Sequence, residues 1–329
     1  MQNSINYIGV DISKAFFDVA VPDGQAYHYY KFDNNPDGFE ALLKVVPSEG
    51  IVVMEASGPY YLRLANYLTK QGIGVSVINP LVIRRFCQMR MTRAKTDKKD
   101  SSMIAAYGRI EKPGLWQSPQ EHVVALQQLE ALLANIRKEY TAVSNQFESF
   151  MSSGMLNKEL EEIITKELAH KQELIDKLTA QIEELAQKHY SSMLADLESI
   201  PGLGRKTAIM LIVLSGGFSR FSNYRKLSAY IGLSPRIFES GTSVKGKARI
   251  CKMGMSRIRA MLYLCSWSAK RYNKSCSQLY ERLLAKGKPK KVALIAVANK
   301  LLKQAFAVAT KQTRYNENYL TLMQSAVSG

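Results

Sequence analysis

The sequence predicts an α+β protein with strands and helices at its N-terminal end and helices elsewhere. Short apolar strands alternate with helices over the first 125 residues, long amphipathic helices follow, and the last third is helical and strongly basic. At 329 residues the chain exceeds the roughly 100–200 residues of a typical domain. We therefore expect three domains, at 1–125, 126–195 and 196–329.

The first segment shows strand and helix signals in a characteristic order. Three strand-like stretches come first, and helices then alternate with short apolar strands. This order, with a meander before the alternating elements, is that of a ribonuclease-H-like domain. The predicted strands are 7–11, 15–21, 27–32, 51–54 and 75–78, and the predicted helices are 36–46, 60–71 and 101–109.

The middle segment has the apolar periodicity of two long helices. Apolar residues recur at three- and four-residue steps over 126–147 and again over 160–185, and Ser152-Ser153-Gly154 separates the two runs. The pattern predicts an antiparallel pair or a coiled coil. Self-association and ordinary packing of two helices fit it equally well.

The basic residues are concentrated in one part of the chain. Residues 201–329 carry 24 Lys/Arg against 3 Asp/Glu, a net charge of +21, whereas 1–126 carries 14 against 12 and 127–200 carries 7 against 13. A basic segment of this kind favours binding of nucleic acid, because cations that neutralise phosphates release counterions. The alternative is a solvated basic surface that maintains solubility.

Other classes of protein are disfavoured by composition. The four cysteines form no CxxC pair and the four histidines are scattered, which predicts reduced thiols and no zinc site. No signal peptide and no apolar run of about 20 residues is evident, so we expect a cytoplasmic protein without a membrane partner.

Four acidic residues are candidates for a metal centre. Asp11 and Glu55 each follow an apolar strand, and Asp97 and Asp100 lie three apart at the start of a predicted helix. Carboxylates brought together repel one another unless a cation lies between them, and oxygen ligands suit Mg²⁺ or Mn²⁺. Two such ions could act on a phosphodiester. Each acid alone is more often a turn or helix cap.

Residues 199–208 are typical of the hairpin in a helix-hairpin-helix unit. Gly202 and Gly204 would let backbone N–H groups approach a phosphate at a helix N-terminus, and Arg205 and Lys206 would add charge. Such a unit binds DNA without reading its sequence. The alternative is a Pro-Gly turn between packed helices.

A cationic loop at 234–249 contains two candidate nucleophiles. Ser240 and Ser243 lie beside glycine and threonine among basic residues, and a serine in this setting can reach a phosphate. The residues alone do not separate the two serines, and a phosphate-binding loop without a nucleophile is the alternative. The candidate cations in and after the loop are Arg236, Lys245, Lys247, Arg249 and Lys252.

The whole chain resembles the DEDD transposases of the insertion-sequence one-ten family, which are relatives of the Piv DNA invertase. The order and spacing of the shared motifs agree over nearly the full length, and the Glu-Ser-Gly-Thr-Ser segment at 239–243 is the most specific of them. Cys251 departs from the family, which commonly has serine there. The matching segments are 7–14, 54–58, 77–80, 95–100, 199–204, 232–236, 239–246 and 252–254.

The resemblance implies a mechanism and a set of partners. Asp11, Glu55, Asp97 and Asp100 would hold metal in a RuvC-like domain, and Ser240 would form the covalent phosphoserine bond to DNA. Family members are guided by a bridge RNA, act in bacteria on donor and target DNA, and assemble as dimers that pair into a tetramer. The helical pair would be the dimerising element. Two other functions stay open: a metal-only nuclease resembling a Holliday-junction resolvase, and a non-catalytic nucleic-acid scaffold.

Overall fold

The computed structural model describes residues 6–24, 26–47, 49–91, 96–236, 239–240, 244–245, 249–251 and 254–317. The chain separates into two compact units, residues 1–118 and 119–329. The division into three domains predicted from the sequence stays a prediction. The fold is mixed α/β and mostly helical.

The first unit is built on a five-stranded sheet with the strand order β3-β2-β1-β4-β5. β1 pairs antiparallel with β2 and β2 with β3, whereas β1 pairs parallel with β4 and β4 with β5. This confirms the predicted meander followed by alternating helices and strands. The elements are β1 Asn6–Ile12, β2 Phe16–Asp23, β3 Ala26–Asp33, α1 Pro36–Leu43, β4 Gly50–Glu55, α2 Tyr61–Lys70, β5 Gly74–Ile78, α3 Pro80–Met89 and α4 Asp97–Glu111.

The two faces of the sheet bury different helices. On one face, Ile8, Val10 and Phe17 belong to a core that also includes Leu42 of α1 and Leu64 of α2. Because side chains alternate along a strand, the other residues of β1 point to the opposite face. That second face carries a smaller core made by residues of the sheet, α3 and α4, namely Tyr7, Val53, Ile78, Ile83 and Ile104.

Helix α4 packs directly on β1 because β1 contains glycine at the contact. A Cβ atom added to Gly9 would lie 2.0 Å from the backbone oxygen of Ser101, and one added to Gly108 would lie 2.9 Å from the ring of Tyr7. Ser101 is therefore near the middle of β1, and the C-terminal part of α4 is near its start. The helix runs antiparallel to β1, which brings its first turn to the end of β1 where Asp11 lies.

One helix is absent from the prediction, and another starts earlier than predicted. The prediction had no helix between 79 and 96, but α3 occupies Pro80–Met89, with Pro80 in the first turn and the Asn79 side chain accepting a bond from the Leu81 N–H at 2.9 Å. Helix α4 starts at Asp97 rather than 101 because Thr96 caps it, its hydroxyl accepting from the Lys99 N–H at 3.3 Å.

Within the described residues, the second unit is helical apart from two short strand pairs, β6 with β9 and β7 with β8. The elements are α5 Glu121–Ser152, α6 Lys158–Glu198, α7 Arg205–Ser215, α8 Tyr224–Ile231, β6 Pro235–Arg236, β7 Glu239–Ser240, β8 Val244–Lys245, β9 Arg249–Ile250, α9 Ser256–Tyr272, α10 Lys274–Ala285 and α11 Lys290–Lys311.

Helices α5 and α6 form an antiparallel pair. His122, near the start of α5, contacts the Tyr190 hydroxyl near the end of α6 at 3.0 Å, whereas Glu139 accepts a bond at 2.8 Å from Lys171 in the first half of α6. The pair shares one apolar core with α7, α9 and α11. Self-association through the pair stays a prediction.

Helix α11 corrects the expectation that no apolar stretch approaches the length of a membrane span. It is long and apolar enough by length and composition, and half of its most apolar window is buried in the unit. Leu294, Val297, Leu301 and Leu302 are almost completely buried in the core. Packing inside a protein therefore accounts for the apolar composition of this helix.

Candidate active site

Strand register brings two of the predicted acids side by side. β1 and β4 run parallel with Val10 opposite Met54. The next residues along these strands, Asp11 and Glu55, are therefore neighbours on the opposite face of the sheet, which is the face covered by α4.

The same row of side chains continues into the antiparallel strands. Asp18 of β2 lies directly opposite Asp11, and Lys31 of β3 lies directly opposite Asp18. The Lys31 ammonium is 4.0 Å from the Asp18 carboxylate. We call Glu55, Asp11 and Asp18 the carboxylate row. It spans three neighbouring strands and ends at a cation on the edge strand.

The first turn of α4 adds two more acids to the row. Burial, and after it the negative charges of Asp100, Glu55, Asp97 and Asp18 in that order, together raise the pKa of Asp11 to about 6. A carboxyl can be repelled by four others only if all of them are close. The structure therefore brings together the four acids that the sequence singled out, and Asp18 with them.

The acids fit a hard divalent cation in their chemistry. All the donors are carboxylate oxygens, which Mg²⁺ and Mn²⁺ prefer. The repulsion that raises the pKa of Asp11 is the repulsion that a cation would relieve. Among the described residues, no three His, Cys, Asp or Glu side chains already stand as a coordinating group.

Sequence reasoning missed three neighbours of this cluster. Asp18 occupies an inward position of β2, and alternation along that strand could have identified it. Cys87 lies on α3, and its pKa is raised by burial and then by the charges of Asp100 and Glu55. The Ser57 hydroxyl donates to a Glu55 carboxylate oxygen at 2.9 Å, which fixes the direction of that side chain.

The predicted DNA-binding hairpin lies between α6 and α7. Gly202 has a φ of +94°, and a Cβ atom there would lie 2.6 Å from the backbone nitrogen of Ala269 in α9, so the turn packs closely against that helix. Gly204 precedes α7 with open space around it. The Arg205 guanidinium donates to Glu198 at 3.0 Å and to Gln187 at 2.7 Å.

The remaining predicted nucleic-acid residues are described in part. Lys206 lines a cavity of about 180 Å³ together with Arg137 and Arg257. In the serine loop, Ser240 of β7 pairs with Val244 of β8, and Arg236 of β6 pairs with Arg249 of β9. These are backbone pairings, and Lys245 also belongs to β8. Ser243, Lys247 and Lys252 lie outside the described residues.

Comparison with known families gives two consecutive transposase matches. A family model described as a transposase of the DEDD, IS110 type matches residues 8–156. A second, described as transposase of the IS116/IS110/IS902 family, matches residues 194–281. A third model, described as the α-solenoid of MIOS, matches residues 238–329 and overlaps the second.

Curated relatives match along almost the whole chain. The pilin gene-inverting proteins of Moraxella bovis and Moraxella lacunata are each 30% identical to it, over 95% of this chain and 98% of theirs. The transposase for insertion sequence element IS1111A of Coxiella burnetii is 25% identical, over 94% of this chain and 91% of its own. Among solved structures, T. thermophilus RuvC in complex with a Holliday junction substrate aligns with 34% of this chain and 99% of its own, at 11% identity and a TM-score of 0.27.

Proposed function

Because the chain belongs to the IS110 family of DEDD transposases and DNA recombinases, we propose that it cuts and rejoins DNA through a phosphoserine intermediate at Ser240. The observation that carries the catalytic part of the proposal is the gathering of Asp11, Glu55, Asp97 and Asp100 on one face of the sheet. Burial and the charges of the neighbouring acids raise the pKa of Asp11 to about 6. A cation bound among these acids would offset their repulsion, and a strand-cleavage centre has a use for such a cation.

The four DEDD acids would hold Mg²⁺ or Mn²⁺. Such a cation supplies positive charge that stabilises a phosphodiester while it is attacked. The protein's own contribution is to position the carboxylates: β1 and β4 fix Asp11 and Glu55, and the close packing of α4 on Gly9 fixes the direction of Asp97 and Asp100.

Ser240 would be the attacking group. Its hydroxyl oxygen forms a bond to phosphorus and loses its proton to a neighbouring base, while the bond from phosphorus to one DNA oxygen breaks and that oxygen leaves as a hydroxyl. A new DNA hydroxyl then reverses the step and releases the serine, so no energy cofactor is needed. The cations that would neutralise the phosphate are Arg236, Lys245, Lys247, Arg249 and Lys252.

The partners of the reaction follow from the family. We propose donor and target DNA as substrates, a bridge RNA as guide, and dimers formed through the α5–α6 pair that associate into a tetramer, all in the bacterial cytoplasm. The relatives named for pilin gene inversion and for transposition leave both outcomes open for this chain. Gly202, Gly204, Arg205 and Lys206 would hold the DNA backbone near the site.

The test compares Ser240→Ala with Ser243→Ala. The first variant should lose cleavage and still bind DNA, and the second should retain most of its activity. Wild-type protein denatured during the reaction should carry a DNA strand that survives detergent and disappears on protease treatment. If Ser240→Ala cuts DNA at the wild-type rate, the chain is a metal-only nuclease. If neither wild type nor variant cuts, it is a scaffold.

A further inference from the structure

Helix α9 has an apolar and basic face that no described part of the unit covers. Its buried residues Ile258, Leu262 and Ala269 face the core. On the opposite side of the helix, Leu264 is 68% exposed and Trp267 is 46% exposed. Large apolar side chains exposed together on one face indicate a binding surface rather than ordinary surface composition.

A lysine holds the tryptophan in place. The Lys270 ammonium lies 4.2 Å from the centre of the Trp267 ring and 5.1 Å from that of Tyr280 on α10. A cation between two aromatic rings orders both of them by cation–π attraction. Nearly half of the indole nevertheless stays open to solvent, and Tyr272 beyond it is 70% exposed.

The charge around this face identifies the kind of partner. Residues 256–291 contain ten Lys/Arg and one Asp/Glu. Arg271 is exposed on the same side of α9 as Trp267, and Lys274 is exposed at the start of α10. Lysine is depleted in protein–protein interfaces, whereas aromatic rings interleaved with cations are the arrangement that binds single-stranded nucleic acid.

We propose that the exposed face of α9, with Tyr280 of α10, is a stacking site for an unpaired nucleotide. A base would stack on Trp267, and the phosphates on either side of it would contact Lys270, Arg271 and Lys274. The base must be unpaired because duplex stacking hides both of its faces. This site goes beyond strand cleavage, since it contains neither Ser240 nor any of the acids.

Fluorescence gives a direct test, because the chain has two tryptophans and the other is Trp116 in the first unit. In full-length Trp116→Phe protein, Trp267 is the sole reporter. Oligo-dT and oligo-U should quench its emission, and the comparison of the two shows whether the strand is DNA or RNA. As salt rises, a higher oligonucleotide concentration should be needed to reach saturation, but the quenching at saturation should not change. An abasic strand of equal length and a duplex should bind without quenching.

Affinity measurements on variants of the wild-type chain complete the test. Trp267→Leu keeps an apolar side chain and should weaken single-strand binding about ten-fold, whereas Trp267→Phe keeps a ring and should lose much less. The control is Leu115→Ala, an exposed apolar position in the first unit, which should bind as wild type does.

Three results would overturn the proposal: equal quenching by the abasic strand, unchanged affinity of Trp267→Leu, or displacement of the oligonucleotide by polyglutamate of equal charge. The last would identify an acidic protein surface as the partner. If Trp267→Leu has a lowered melting temperature, the quenching experiment decides alone. None of these measurements requires cleavage, so failure here leaves the proposed recombinase mechanism standing.

Discussion

In the first unit, five carboxylates form one cluster, and each is either half-buried or at the edge of that cluster. In the second unit, the cations lie along exposed helices. Burial of Asp11, and then its repulsion by the other acids of the row and of the first turn of α4, raises the pKa of Asp11 to about 6. In the second unit several cations have acidic partners of their own: Arg205 contacts Glu198 at 3.0 Å, and Arg257 contacts Glu130 at 2.7 Å.

The difference separates a reactive centre from a binding surface. Gathering like charges lowers stability, so it persists only where the fold imposes it, here by strand register and by the contact of α4 with Gly9. Cations spread along exposed helices keep most of their hydration, so the fold does not have to hold them in place. Removing an acid of the first unit should therefore act on catalysis and stability in opposite directions, whereas removing an exposed cation of the second unit should act mainly on affinity.

The largest effect is expected for Asp11→Asn. Loss of one metal-binding carboxylate should reduce cleavage on the order of 10²–10³-fold or more. Without metal the same variant should be more stable near neutral pH, by about 1–2 kcal/mol after allowance for solvent screening, because a repelled charge has been removed. Cleavage assays and urea unfolding in EDTA measure the two effects.

The direction in which stability changes with pH follows from the raised pKa of Asp11. The folded protein binds a proton at Asp11 more tightly than the unfolded chain does, so the wild type should lose stability as pH rises from 3.8 through about 6, and Asp11→Asn should not. Added Mg²⁺ should restore the lost stability of the wild type and should not stabilise Asp11→Asn in the same way. Asp23→Asn, an exposed acid on β2 outside the row, is the control. Wild-type cleavage by Asp11→Asn would exclude a metal role.

The next effect is expected for Gly9→Ala. The added methyl group would lie 2.0 Å from the backbone oxygen of Ser101, so α4 must move away from β1. We expect a loss of about 1–3 kcal/mol or more in the free energy of unfolding, and reduced cleavage because Asp97 and Asp100 move with the helix.

Gly114→Ala is the matched control for this change. A Cβ atom at Gly114 would have no neighbour within 4 Å, and its backbone is not left-handed. Urea unfolding and cleavage of the two variants should therefore differ. Equal stability of both would mean that α4 does not depend on the glycine contact for its position.

The comparison also explains what could be predicted from the sequence. The strand order and the positions of Asp11 and Glu55 follow from apolar runs that end in an acid, which is local information. Asp18 was missed because its place beside Asp11 depends on hairpin register, and a slip of one residue would turn it to the other face.

Tertiary packing accounts for the other differences. Gly202 stays a predicted phosphate-binding glycine, and its close contact with Ala269 could not be foreseen because it depends on a helix far along the chain. Helix α3 was missed because it is short and its start depends on the Asn79 cap. The serine loop was singled out by its cations and its glycine, and only the family motif favoured Ser240 over Ser243, so that choice stays a prediction.

A smaller effect is expected when an unpaired cation of the second unit is compared with one that has an acidic partner. Arg271 is exposed, without an acidic partner among the described residues, so Arg271→Ala should lower the slope of log affinity against log salt by about one. Arg205→Ala should lower it less, because Glu198 and Gln187 already hold that guanidinium. Titrations at several salt concentrations measure both slopes.

Glu198→Gln provides the converse test, since it frees Arg205 while leaving the hairpin in place. It should tighten DNA binding if the ion pair restrains Arg205. Equal slopes for Arg205→Ala and Arg271→Ala, with no gain for Glu198→Gln, would show that the Glu198 contact gives way when DNA binds.

The smallest effect concerns two histidines that lie where the start of α5 meets the end of α6. The rings of His122 and His189 stack with their centres 4.0 Å apart, and the Tyr190 hydroxyl contacts His122 where α6 is kinked. Burial, and then the charge of His189, lowers the pKa of His122 below 6.5. The unfolded chain therefore takes up a proton first as pH falls, so stability should be complete above 6.5 and decrease below it.

His189→Gln removes the ring that stacks on His122 and also removes the charge of His189. It should therefore narrow the pH range over which the protein loses stability. Burial, the larger cause, stays in place, so part of the loss should persist. His170→Gln, an exposed histidine on the same helix, is the control and should leave the wild-type profile unchanged. The free energy of unfolding, measured between about pH 7 and pH 5, tests this prediction. A profile unaltered by His189→Gln would mean that like-charge repulsion matters only in the carboxylate row of the first unit.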